Sequence, residues 1–176
     1  MTRSTGVALV LAAAALAGCS LTGTAVTTFP PASFGAGTTT AAASETRRIV
    51  ELAISGAGLR ASLPSVVYRP AESASLAAAP RLVLQVQLAD DPGHGYIVIY
   101  ELGDATTADA AAREQAAYVA SGIGFVQFPP GSEFVIRTVG ATVVFFSWSP
   151  SNSPDPLTSK IPVALQTVGT DIPVPR

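Results

Sequence analysis

Residues 82–102 read LVLQVQLADDPGHGYIVIYEL, and every other element is placed from this stretch. Leu82, Leu84, Val86 and Leu88 alternate with Val83, Gln85 and Gln87, the period-2 pattern of a strand that turns one face to a core. Asp90-Asp91-Pro92-Gly93-His94-Gly95 follows, and its Asp, Pro and Gly are residues that favour tight turns. The chain then returns as Tyr96-Ile97-Val98-Ile99-Tyr100-Glu101-Leu102. The stretch predicts a β-hairpin.

Downstream, Thr106 or Thr107 is expected to cap a helix, with Thr106-Thr107-Ala108-Asp109 as a capping box. Ala108, Ala112, Ala116 and Val119 form its buried stripe and Gly122 its stop. Phe125-Val126-Gln127-Phe128 reads as a short strand. Phe134–Arg137 and Ala141–Trp148 predict a second hairpin around Gly140. Within it, Val143-Val144-Phe145-Phe146 is apolar on both faces, which suits a central strand. Leu157–Val168 is read as a last helix.

Upstream, a helix is expected from an N-cap at Ser44, with Ile49, Leu52, Ala53 and Gly56 on one face. A short strand should run from Ser62 to Tyr68, and residues 71–80 read as loop or a helical turn. Short connections favour antiparallel pairing. The expected fold is α+β, a two-layer sandwich of a mainly antiparallel sheet of four to five strands with two to three helices on one face. One domain, residues 44–176, is enough for a single core.

The N-terminus has a separate logic. Arg3 is a minimal basic start, and Val7–Leu16 form an apolar run followed by Ala17 and Gly18, the parts of a signal peptide over residues 1–18. The run from Gly6 to Gly18 is shorter than the roughly 20 residues that a spanning helix needs. Leu16-Ala17-Gly18-Cys19 resembles the lipobox of bacterial lipoproteins. That resemblance implies cleavage between Gly18 and Cys19, a diacylglyceryl group on the Cys19 thiol, and anchoring through acyl chains such as palmitate. One acyl chain gives marginal membrane binding and two give stable anchoring. Cys19 is the only cysteine, so the mature chain would hold no free thiol, no disulfide and no cysteine metal site. The implied location is extracytoplasmic, on the bacterial cell membrane. Ser20 after the cysteine is compatible with the outer membrane if the cell is diderm.

Residues 20–43 carry no charge and consist almost wholly of Thr, Ala, Gly, Ser and Pro with a few apolar residues. From Cys19 to residue 43 the chain reads as a flexible tether, with a typical reach of about 25–30 Å. Phe29 and Phe34 interrupt it. Without Arg3 the chain has nine basic and twelve acidic residues, a net charge of −3. There is no basic stretch, so nucleic acid is not an expected partner. The pattern of Tyr96–Leu102, Asp104–Ser121 and Glu133–Trp148 resembles a set of small bacterial envelope lipoproteins of unknown function. The resemblance covers about half of the mature chain and implies a fold and an anchor, with no activity attached.

The chemistry-bearing residues are sparse. His94 is the single histidine, and with Asp90 and Asp91 it reads either as a metal or acid–base site or as a solvated turn. A zinc site needs three or four convergent ligands, and the spacing does not fit a calcium loop. No Gly-x-Ser-x-Gly elbow and no Gly-Lys-Ser/Thr phosphate loop is present. No catalytic residue, metal or cofactor is therefore expected. Phe125, Phe128, Phe134 and Trp148 are the candidate binding surface; core packing is the competing reading. The leading expectation is a lipid-anchored module that binds an envelope protein. A carrier or sensor of an apolar ligand, a hydrolase with an unrecognised site and a plain spacer remain alternatives. The oligomeric state is left open.

Overall fold

The hairpin of residues 82–102 forms as expected in the computed structural model, which describes residues 40–175. Strand β2 is Arg81–Val86 and β3 is Tyr96–Glu101, paired antiparallel with Leu84 opposite Ile97. The second hairpin joins β4 (Glu133–Val139) to β5 (Thr142–Trp148) through Gly140. Two-residue strands close the edges: β1 (Ala61–Ser62) on β2 and β6 (Thr170–Asp171) on β4. The result is one six-stranded antiparallel sheet in the order β1-β2-β3-β5-β4-β6, in an α+β fold. Its strand count exceeds the expected four to five because both edge strands are too short to show an alternation.

Helices cover both faces of the sheet, which makes three layers where two were expected. Every residue from Tyr96 to Tyr100 and from Thr142 to Phe146 is buried. A strand apolar on both sides needs cover on both sides. Ile97, Ile99, Val144 and Phe146 pack against α1 (Ala41–Gly56) and α5 (Lys160–Leu165). Val98, Tyr100, Val143 and Phe145 pack against α2 (Ala74–Ala78) and α3 (Ala105–Ala120).

Helix ends follow their local hydrogen bonds. Thr40, not Ser44, caps α1: its Oγ1 accepts the Ala43 N–H at 3.3 Å. The buried stripe is Ala43, Thr46, Val50 and Ile54, while Leu52 is 59% exposed. Asp104, not Thr106 or Thr107, caps α3 by accepting the Thr107 N–H at 2.8 Å. The expected stripe of Ala108, Ala112, Ala116 and Val119 is buried, and Ala111 and Gln115 join it. Residues 125–128 do not form a strand; Gly122–Phe125 is a helical turn, α4. The strand expected over 62–68 stops at Ser62, and the last helix is a 3-10 turn, Pro156–Ser159, leading into α5.

The two ends of the sheet differ. Glu101 and Thr142 mark one, here the lower end, and Gly95, Glu133 and Trp148 the other. Thr46 Oγ1 and Thr142 Oγ1 share a hydrogen bond of 2.8 Å, which pins the start of α1 at the lower end. The chain therefore enters the domain there. Helix α3 begins after β3 at the lower end and rises to the upper one. A tight turn at Gly169 (φ 51°) leads into β6, and a Cβ there would lie 2.0 Å from the Thr138 carbonyl oxygen. The expected signal peptide, Gly18, Cys19, Phe29 and Phe34 lie outside the described residues.

Candidate functional site

The upper end of α3 is built to change direction sharply. Ser121 closes α3 and opens α4: its hydroxyl donates to the Tyr118 carbonyl at 2.7 Å and accepts the Gly124 N–H at 3.1 Å. Gly124 lies so close to α3 that a Cβ would sit 2.0 Å from the Tyr118 carbonyl oxygen. The tight fold-back leaves the outer side chains nowhere to pack. Ile123 is 78% exposed, Val126 71% and Phe125 44%. Residues 115–132 contain no charged side chain, so this exposed tip is wholly uncharged.

Beneath the tip the phenyl rings form a cluster. Phe128 meets Phe134 edge-on with centroids 4.9 Å apart, and both lie 6.4 Å from Phe145. Such pairs hold beyond the area they bury. Next to the cluster a half-enclosed groove of about 830 Å3 runs between the end of α3, the outer edge of β4 and the C-terminal segment. Phe125, Phe134 and Ile136 line its apolar side, and Glu133 and Asp171 its acidic rim.

The four aromatics expected to form a binding surface are thus divided. Phe125 and Phe134 line the groove, and Phe128 is half-buried behind them. Trp148 does not belong with them: alternation along β5 sends it to the opposite face with Phe146, against the α1 and α5 layer. There its indole N–H is buried without a hydrogen-bond partner among the described residues.

The turn around His94 is braced from within. Its Nδ1 pairs with Asp91 Oδ1, and Asp91 is 5% exposed while the His94 side chain is 53% exposed. Asp155 accepts the Asp90 N–H at 3.2 Å and the Leu157 N–H at 2.8 Å. Gln85 Nε2 donates to the Pro92 carbonyl at 2.8 Å. Asp91 thus holds the imidazole, yet no hydroxyl among the described residues bonds to the ring as a nucleophile would. No group of three or more His, Cys, Asp or Glu among the described residues converges for a metal.

A buried polar network went unseen in the sequence. The Glu72 side chain is 2% exposed and takes Arg69 Nε at 2.7 Å, Arg81 at 2.6 Å and the Tyr100 hydroxyl at 2.7 Å. Burial, then the charge of Glu72, holds the Tyr100 hydroxyl far above the usual tyrosine range. The Tyr68 hydroxyl is also raised, again first by burial, and its ring stacks on Tyr96 at 4.1 Å. Gln115 completes the network by accepting the Ser73 N–H at 2.6 Å and donating to the Ala71 carbonyl at 3.1 Å. The four charged or phenolic partners are spread over residues 69–100, so no local pattern announces them. These groups consume one another's hydrogen bonds and fasten the 63–80 segment to the sheet.

Among the described residues no helix is long and apolar enough to cross a membrane. No family model matches the chain, and neither a curated protein nor a solved structure matches it.

Proposed function

We propose that the chain is a lipid-anchored, extracytoplasmic module that presents the groove and its apolar tip to a protein partner. One observation carries this reading. The chain enters α1 at the lower end of the sheet, whereas Ile123, Phe125, Val126 and the groove occupy the upper end. A tether from Cys19 would join the domain at its lower end, so the groove and tip lie at the end away from the point of attachment and stay accessible to a partner. Exposed, contiguous apolar side chains beside a concavity are typical of interaction sites.

The supporting experiment has two arms. Cys19→Ala is expected to move the protein from the membrane fraction to the soluble one and to abolish palmitate labelling. An unchanged membrane fraction overturns the anchor. A photo-crosslinking residue at Ile123 is expected to give one discrete protein adduct in intact cells, and the same probe at Leu52, on the far layer, none. Equal labelling from both positions, or none from either, overturns the partner-binding site. A second reading rests on the groove's volume of about 830 Å3, which lies in the range of small-ligand pockets. A carrier of an apolar ligand would then yield a lipid-sized adduct at Ile123 in place of a protein.

A further inference from the structure

We infer that the groove receives an extended segment of the partner polypeptide, which adds as a strand to the open edge of β4 at Phe134. This rests on the partner-binding reading and specifies how the partner is held. The register decides which backbone groups face the groove. The Leu102 N–H bonds the Ala141 carbonyl at 2.9 Å, so Val143, Phe145 and Ser147 direct their backbone groups to β3. Thr142, Val144, Phe146 and Trp148 direct theirs to β4. In an antiparallel ladder the groups alternate side by side. Glu133, Val135 and Arg137 therefore face β5, and Phe134, Ile136 and Thr138 face outward. The Ile172 N–H, which bonds the Ile136 carbonyl at 3.0 Å, agrees with that parity.

The chain's own C-terminal segment runs alongside this edge and packs Val174 on the same cluster, but its backbone pairs with only half of it. Strand β6 pairs at Arg137 and Thr138, but the ladder ends at Ile172. Pro173-Val174-Pro175 follows, and the fixed proline φ near −65° draws the segment out of strand geometry. Val174 makes no backbone bond to Phe134, and the Ile136 N–H makes none to Ile172. Ile136 is already covered at 1% exposure, and among the described residues the Phe134 N–H and C=O are left without a partner along the groove wall. Unpaired edge groups of this kind template an added strand.

The side chains define the incoming segment. Alternate residues of an added strand point to one face, and here that face meets Phe134 and Phe125. At the rim, Glu133 is exposed and the Asp171 side chain is 62% exposed even though it pairs with Arg137. The fitting segment is therefore extended, apolar at alternate positions, and carries a lysine or arginine beside them.

A library of random linear 12-residue peptides, panned against the full chain in detergent micelles, tests this directly. Enriched sequences are expected to alternate apolar residues and to include a basic one. A synthetic copy should slow hydrogen exchange at the Phe134 amide at least tenfold. N-methylation of the peptide amide that faces Phe134 should weaken binding at least tenfold; this change leaves the protein's own folding untouched. A panning that enriches nothing overturns the inference. So do binders that leave the Phe134 amide unprotected or tolerate N-methylation. If peptides fail while crosslinking from Ile123 still captures one protein, strand addition falls and the partner-binding reading stands.

Discussion

The two faces of one sheet are packed in opposite ways. On the α1 and α5 face the helices bring large aliphatic side chains, Val50, Ile54, Ile161 and Leu165, to meet Leu84, Ile97, Ile99, Val144 and Phe146. On the other face α3 brings alanines, and the bulk comes from the sheet itself as Tyr100 and Phe145. An alanine-lined helix lies close to its sheet but is narrow. It cannot cover the whole width, so both flanks need something else. The flank over β2 and β3 is filled by residues 63–80 and the Glu72 network. The flank over β4 and β6 is filled only in part, and the groove is what remains. The face with small helix residues is thus the one with an opening, and its flank carries the Glu72 network. The polar groups of the other face, Arg137 and the Thr46–Thr142 pair, sit at the margins of an aliphatic core.

The difference predicts how each face breaks. Phe146→Ala on the aliphatic face removes a fully buried ring. A loss of about 3–5 kcal/mol is expected in urea unfolding. Glu72→Ala on the other face leaves Arg81 and the Tyr100 hydroxyl without their acceptor. Removing one partner of a buried pair costs about 3–5 kcal/mol, but Arg81 and Arg69 remain 14% and 24% exposed and regain some water. The expected loss is about 2–3 kcal/mol. An equal or larger loss than for Phe146→Ala would show that the polar face is the more rigid one.

Alkaline pH should act through Tyr100 in the Glu72 network. Tyr100 has a raised pKa in the folded chain, so its stabilising contribution is fully present below the unfolded value near 10. As pH rises past that value the unfolded chain loses the proton and the folded chain keeps it. Stability then falls by about 1.4 kcal/mol per pH unit for such a group. Tyr68 shifts in the same direction. Tyr100→Phe is expected to flatten the decline measured between pH 10 and 11, at a cost of about 1–2 kcal/mol at neutral pH for the lost hydrogen bond. An unchanged alkaline slope would mean that Tyr100 ionises freely.

Both hairpins were legible because alternation and turn chemistry coincide at residues 82–102 and 134–148. The α3 stripe was legible because four of its residues recur at helical spacing. The phase of α1 was legible only in part: Ile49 and Ala53 of the expected face pack against the core, but Leu52 is exposed, and the fully buried line starts at Ala43 and runs through Thr46, residues with little apolar weight. The edge strands hold two residues each, too few for any period. Double-sided burial was written in Tyr96–Tyr100 and Val143–Phe146, and reading it through would have placed helices on both faces. It would also have sent Trp148 away from the phenyl groups by parity alone. The Glu72 network was illegible, since charged residues far apart in sequence look like ordinary surface.

The tip of α4 gives the smallest expected change in stability and the sharpest contrast between folding and function. Ile123 and Val126 touch little of the core, being 78% and 71% exposed. Their replacement by serine removes little buried surface, and surface changes of this kind usually stay within about 0.5 kcal/mol. Ile123→Ser combined with Val126→Ser is therefore expected to leave the urea midpoint nearly unchanged. The same double variant, with the crosslinking residue moved to Gln127, is expected to lose most of the adduct that the wild-type tip gives from that position. A residue kept apolar for packing would show the reverse, a lowered midpoint with crosslinking intact. A lost adduct with an unchanged midpoint would separate what these side chains do for folding from what the proposed partner site asks of them.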